Sequence, residues 1–193
     1  MKNQSNAISL AHATLPGDKR KSLSRATFAL LAAYAMVTIA LFLASTAQAE
    51  EHEVISCSVA VYPSDTDPKG TNLRAGPSSR HKIVSVIKDS DSRLEITGSA
   101  GNWLRVRKVT EGYGAVLFAG EGWIFGPLTS VRSRGKALLY QSASKTSDSV
   151  GQTPDQEEAS VQSCSGGWVK VKYKVEGWLA PGAHCGNAVT TCV

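Results

Sequence analysis

Two sets of side chains in this 193-residue sequence have the types and spacing to do chemistry: its four tryptophans and its four cysteines. The tryptophans sit in a pattern written twice. Gly101-Asn102-Trp103-Leu104-Arg105-Val106-Arg107 is answered by Glu121-Gly122-Trp123-Ile124, and Gly166-Gly167-Trp168-Val169-Lys170-Val171-Lys172 by Glu176-Gly177-Trp178-Leu179. On a strand, Leu104 and Val106 share one face while Trp103, Arg105 and Arg107 share the other. If the aliphatic side chains line a core, the indole and guanidinium groups face outward. An aromatic and cationic surface of this kind suits an extended peptide bearing carboxylates. Trp103, Trp123, Arg74, Arg105 and Tyr62 are the candidate ligand-binding residues. The competing reading is that Trp103 and Trp123 only cap a core. Trp168 and Trp178 are weaker candidates, because the second copy lacks the matching arginine.

A catalytic centre finds little support. A cysteine nucleophile needs a thiolate beside a base, whereas these four cysteines read as two bridges. His184 adjoins Cys185, but neighbours along a strand point to opposite faces. His52 and His81 fall in polar stretches, and the sequence has no Gly-x-Ser-x-Gly elbow. Asp65-Thr66-Asp67-Pro68-Lys69-Gly70 mimics the start of a calcium loop, yet Lys69 takes a ligand position and Gly76 stands where the closing Glu belongs. It reads as a turn. The expectation is a protein without enzyme activity, metal or cofactor.

The N-terminus reads as an export leader. Lys19, Arg20, Lys21 and Arg25 precede an apolar run from Phe28 to Ala44, and Ala47-Gln48-Ala49 supplies small residues for a peptidase. Cleavage after Ala49 is expected, with an uncleaved anchor as the alternative. Either places the remainder outside the cytoplasm, periplasmic or secreted in the first case and inner-membrane anchored in the second. Any membrane contact is thus confined to residues 1–49. The leader carries five of the 21 Lys+Arg and one of the 16 Asp+Glu, leaving 16 against 15. A nucleic-acid surface needs a basic domain, so that partner class is excluded.

An even number of cysteines in an oxidising compartment implies two disulfides. If Trp168–Lys172 pairs with Gly177–Leu179 about a turn at Lys174-Val175, opposed residue numbers sum to 349. Cys164 and Cys185 also sum to 349. This register favours Cys164–Cys185, with Cys57–Cys192 by elimination, and the local pair Cys185–Cys192 is the alternative.

The elements that carry these groups read as strands. Val54–Tyr62, Lys82–Ile87 and Arg93–Gly98 are short β-branched or alternating runs bounded by turn residues. No stretch after the leader gives an amphipathic helix. Leu73 precedes Trp103 by 30 residues and Leu139 precedes Trp168 by 29, so the unit reads as duplicated. The fold class expected is all-β: two small barrels in tandem, residues 54–130 and 131–193, joined by a short basic, Ser-rich link at Thr129–Gly135. Trp103 to Trp123 spans 20 residues but Trp168 to Trp178 only 10. The extra segment, Thr110–Gly120, is apolar at Tyr113, Val116, Leu117 and Phe118. The reading preferred is that the segment folds down onto the second copy and forms a core between the two. The alternative is an exposed, partner-binding hairpin tip with Tyr113, Leu117 and Phe118 as its candidate residues.

Asn72-Leu73-Arg74-Ala75-Gly76-Pro77, then Gly-x-Trp and Gly-Trp-Ile, resembles the bacterial SH3 (SH3b) repeat. The lead-in Asp67-Pro68-Lys69-Gly70-Thr71 resembles openings seen in some members. The second copy keeps Leu139-Tyr140-Gln141-Ser142 and the tryptophan slots but has lost Asn-x-Arg-x-Gly-Pro. The resemblance covers about residues 54–185. It implies SH3-like barrels of five to seven strands outside the cytoplasm, of a kind that binds cell-wall peptides or accompanies peptidoglycan hydrolases. The function expected is an exported, non-catalytic module recognising peptidoglycan stem peptides or an envelope protein. The alternatives are a structural accessory or inhibitor subunit docking through residues 113–118, and, third, an autonomous cell-wall hydrolase.

Overall fold

The computed structural model describes residues 52–112, 114–188 and 192. Short runs of alternating or β-branched residues become thirteen strands. The first six are β1 (Ile55–Pro63), β2 (Thr71–Arg74), β3 (Ile83–Ile87), β4 (Arg93–Ala100), β5 (Trp103–Thr110) and β6 (Val116–Phe125). A 3-10 turn at Gly126–Leu128 leads into β7 (Thr129–Ser133). Then follow β8 (Ala137–Tyr140), β9 (Ser149–Thr153), β10 (Glu158–Ser165), β11 (Trp168–Lys172), β12 (Glu176–Leu179) and β13 (His184–Cys185). Among the described residues there is no α-helix, and no helix long and apolar enough to cross a membrane. The leader lies outside the described residues.

The strands form one antiparallel ladder in the order β3-β2-β6-β5-β4-β1-β7-β10-β11-β12-β8-β9, with β13 added to β7. Read outward from the β1/β7 junction, the two halves have the same order: 1-4-5-6-2-3 and 7-10-11-12-8-9. Burial follows the same rule. β2 and β8 share one inside-outside alternation, β3 and β9 share another, and β11 repeats the start of β5. Gly101 and Gly166 take the same left-handed turn, φ +55° and +56°, before the two first tryptophans. Gly122 and Gly177 are both required by packing: a Cβ there would meet Leu73 and Leu139 respectively within 2.9 Å.

The core follows the period-two pattern. Leu73, Leu94, Leu104, Val106 and Ile124 are fully buried in the first half, and Leu139, Val161, Val169, Val171 and Leu179 in the second. Val61 of β1 and Val131 of β7 join them at the junction into one cluster. Each such side chain contributes about 1.5–3 kcal/mol of burial.

Three expectations change. First, the ladder is open, with β3 and β9 at its ends, and not two separately closed sheets. β1 and β7 splice the halves through Tyr62↔Ser130 and Pro63↔Thr129. Second, the supposed link at Thr129–Gly135 begins with β7, a central buried strand. Its hydroxyl groups reach buried positions because each is bonded: Thr129 Oγ1 donates to Gly126 O at 2.7 Å, and Ser133 Oγ to Pro154 O at 2.5 Å. Third, the disulfides are Cys57–Cys164 and Cys185–Cys192, not Cys164–Cys185 and Cys57–Cys192. The β11–β12 register sums to 348 (Val169↔Leu179), and the chain reverses at Gly166-Gly167. Cys164 therefore lies on β10 opposite Val169, while Cys185 sits on β13 opposite Arg132. Extrapolating a hairpin register across a turn fails for this reason.

Candidate functional site

The outer face of the first half is built by three adjacent strands. β2, β6 and β5 place Arg74, Trp123 and Arg105 in one lateral row, since Arg74 pairs with Trp123 and Trp123 with Arg105. Cross-strand partners project to the same side of a sheet. One pair further along, Trp103 and Phe125 pack with ring centroids 5.4 Å apart. Trp123 is only 5 % exposed, so it is the floor of this face, while Trp103 is half-buried. Arg105 is held flat by Nε donating to Thr97 Oγ1 at 3.1 Å and Nη2 to Thr97 O at 3.3 Å. Arg74 Nη1 donates to His81 O at 2.8 Å. Neither guanidinium meets a carboxylate among the described residues. Both are anchored, and both keep N–H groups for a ligand.

Beyond Arg105 the face continues into a groove of about 400 Å³ lined by Ser58, Arg93, Glu95, Thr97, Arg107 and the Cys57 backbone region. At its edge the Cys57–Cys164 bridge joins β1 to β10, and Ser58 N donates to Gly166 O at 2.7 Å. In the same stretch β1 slips by one residue against β4 between Ser56 and Val59. Arg107 Nη2 bonds Glu95 Oε2 at 3.0 Å, and that bond holds the Glu95 carboxyl below the usual range, with Lys108 adding to it. Arg93 Nη1 donates to Gly186 O at 3.2 Å.

Of the residues expected to bind ligand, Trp103, Trp123, Arg74 and Arg105 come together. Tyr62 does not. It is 3 % exposed at the β1/β7 junction, and its hydroxyl has no hydrogen-bond partner among the described residues. Burial pushes its ionisation up to about 12, aided by the Glu158 carboxylate and opposed by Arg132. Arg93, Glu95 and Thr97 were overlooked as members of the face. The period-two run Arg93-Leu94-Glu95-Ile96-Thr97 carried the signal, because its aliphatic residues fix the inward side.

In the apolar insertion, Val116 and Leu117 are 56 % and 50 % exposed, so the tip is not a core shared with the second half. Among the described apolar residues of the insertion, Phe118 packs against the core, opposite Val109. Tyr113 lies outside the described residues. The Asp65–Gly70 segment is a pair of side-chain-capped turns: Asp65 Oδ1 accepts from Asp67 N, and Asp67 Oδ1 from Lys69 N.

The second half repeats the row with other chemistry. Tyr140 and Lys170 flank Trp178 in the slots of Arg74 and Arg105. Tyr140 meets Trp168 edge to face at 5.6 Å, and Lys170 is ion-paired to Glu176. His184 Nε2 lies 3.2 Å from Gly167 O, and burial lowers its pKa against the opposing effect of that bond.

These features define an all-β chain with a folded-down aromatic and basic face. Residues 69–130, which run from the approach to β2 into the start of β7, match the bacterial SH3 domain family. No curated protein matches. Among solved structures the chain is similar to NlpC2 from Trichomonas vaginalis, at 15% identity over 67% of this chain and 48% of that one, TM-score 0.28. It is similar also to NlpC1 from the same organism, at 16% identity over 72% and 48%, TM-score 0.28. The chain thus spans about half the length of these two proteins, and likeness at this level bears on neither activity nor partner.

Proposed function

We propose that this protein is an exported, non-catalytic binding module made of two SH3-like units, residues 54–130 and 131–193. In this reading the first unit recognises an extended peptide bearing carboxylates, of the cell-wall stem-peptide kind or from an envelope protein. The observation that carries it is the row Arg74–Trp123–Arg105. Two anchored guanidiniums that meet no carboxylate among the described residues flank an indole floor, beside a groove holding Arg93 and Arg107. Such a row offers bidentate charge-assisted bonds at fixed spacing, which favours a planar carboxylate over a neutral ligand. The bacterial SH3 match over the same residues and the two disulfides fit a periplasmic or secreted wall-binding module.

The test is co-sedimentation of the full chain with isolated cell wall. The Arg74→Gln/Arg105→Gln double variant should lose most of the bound fraction, since a hydrogen bond to a charged group contributes about 1.5–3 kcal/mol. Wall binding that survives the double variant, or is absent in the native protein, refutes the reading. A second reading, an accessory subunit docking through the insertion, is favoured by the exposure of Val116 and Leu117. Deleting residues 111–120 would then abolish complex formation with an envelope protein and leave the fold intact.

A further inference from the structure

The two halves keep one scaffold and change what stands on it. In the first half the outer positions Arg74, Arg93, Arg105 and Arg107 face Glu95 and Glu121, four cations against two carboxylates, with Lys108 opposite Glu95 as a fifth cation. The equivalent positions of the second half, by the shared register, are Tyr140, Glu158, Lys170 and Lys172, with Ser160 and Glu176 in the slots of the two glutamates. That is two cations against two carboxylates, and one of each is consumed in the Lys170–Glu176 ion pair. The positive excess that would draw an anionic ligand to the first half is absent here.

What replaces the charge is aromatic surface. Phe125, which packs on the first tryptophan of the first half, has Ala180 as its counterpart, a small residue that is 7 % exposed. Over that small floor, Tyr140 turns to Trp168 with the two ring planes at 87°. Trp178 stands next to Tyr140 in register. Tyr140, Trp168 and Trp178 are each half-buried, whereas Trp123 in the first half is closed off. The result is a corner of two rings at right angles with a third beside them in register, bordered by the Lys170–Glu176 pair, a donor and an acceptor, since Lys170 is opposite Trp178.

We propose that this corner is a binding site for a neutral saccharide. The C–H face of a pyranose is apolar and weakly electropositive, matching the negative face of an indole or phenol ring. Its hydroxyls need both a donor and an acceptor, which Lys170 and Glu176 supply beside Trp178. A carboxylate peptide satisfies neither requirement. The site is independent of the peptide reading for the first half, and each can fail alone.

The test is an NMR titration of the full chain that follows the four indole Nε1–H resonances. The probes are a β-1,4-linked N-acetylglucosamine trimer, a β-1,4-linked glucose trimer, and triglutamate as the anionic control. The expected result is that at least one saccharide shifts Trp168 and Trp178 while leaving Trp103 and Trp123 in place, and that triglutamate leaves Trp168 and Trp178 unmoved. Trp168→Ala and, separately, Tyr140→Ala should each weaken saccharide binding at least about tenfold, as for other aromatic anchors. Cooperative melting of either variant shows that the fold survived. No shift with either saccharide at millimolar concentration, shifts confined to Trp103 and Trp123, or full affinity in a folded Tyr140→Ala variant would overturn the proposal.

Discussion

Removing the Cys57–Cys164 bridge should destabilise the protein far more than removing Cys185–Cys192. The first joins β1 to β10 across 107 residues of sequence, while the second closes a separation of only 7. A cross-link restricts the unfolded chain in proportion to the logarithm of the loop it closes. In the chain-entropy treatment this amounts to about 4.8 kcal/mol for the long loop and about 2.4 kcal/mol for the short one. Native-state losses add to the long bridge, because Ser58 N→Gly166 O and Gly166 N→Ser56 O depend on β1 being held at that point. For a domain whose whole stability is about 5–15 kcal/mol, the difference is large. At about 3 °C per kcal/mol, the Cys57→Ala/Cys164→Ala variant should melt roughly 15 °C below the native protein, and the Cys185→Ala/Cys192→Ala variant roughly 7 °C below. Urea and thermal melts of the full chain, read by tryptophan fluorescence, measure both. Equal losses from the two alanine pairs would refute the reasoning, as would a peptide map in which Cys164 is joined to Cys185.

Gly122→Ala should cost about 1–3 kcal/mol, because the new Cβ would stand 2.6 Å from Leu73 Cδ2 in a fully buried site; an unchanged melting temperature contradicts the packing. His184 is half-buried, and desolvation lowers its pKa from 6.5, so the unfolded chain takes up the proton first. Its contribution is therefore complete above pH 6.5 and is lost as pH falls below it; His184→Gln should flatten the stability profile in that range, and an unaltered acid slope refutes the assignment. Tyr62→Phe should leave stability unchanged or raise it by about 1 kcal/mol, since it removes a buried hydroxyl that has no hydrogen-bond partner of good geometry among the described residues. In the native protein, Tyr62 should ionise near pH 12 in an absorbance titration, if the fold survives to that pH, and ionisation near 10 would contradict its burial.

Period-two alternation made the strands and most of the core legible. Leu104, Val106, Val169 and Val171 lie inward as the alternation requires, and the twin Gly-x-Trp segments mark the equivalent strands β5 and β11. The row Arg74–Trp123–Arg105 was legible as a set of residues, though its order across three strands depends on β2 pairing with β6, a contact no local pattern encodes. β7 was hidden because Thr129, Ser130 and Ser133 look like linker residues. Their hydroxyls are satisfied there by Gly126 O three residues back and by Ser64 and Pro154 from distant parts of the chain. The cysteine pairing was lost at one turn. Gly166 reverses the chain between Cys164 and Trp168, so the bridge runs to β1 of the other half. Tyr62 illustrates the remaining limit: an aromatic residue at a strand end reads the same whether it faces a ligand or a junction.

The account stands most directly on whether the first half binds anions through its arginine row. Titrating the full chain with triglutamate, while following the Trp103 indole and the Arg105 Nε–H resonances by NMR, measures this. Saturable shifts at both groups, weakened by added salt and lost in the Arg74→Gln/Arg105→Gln variant, are the predicted result. The absence of binding at low salt, or shifts that persist undiminished in that variant, would contradict it.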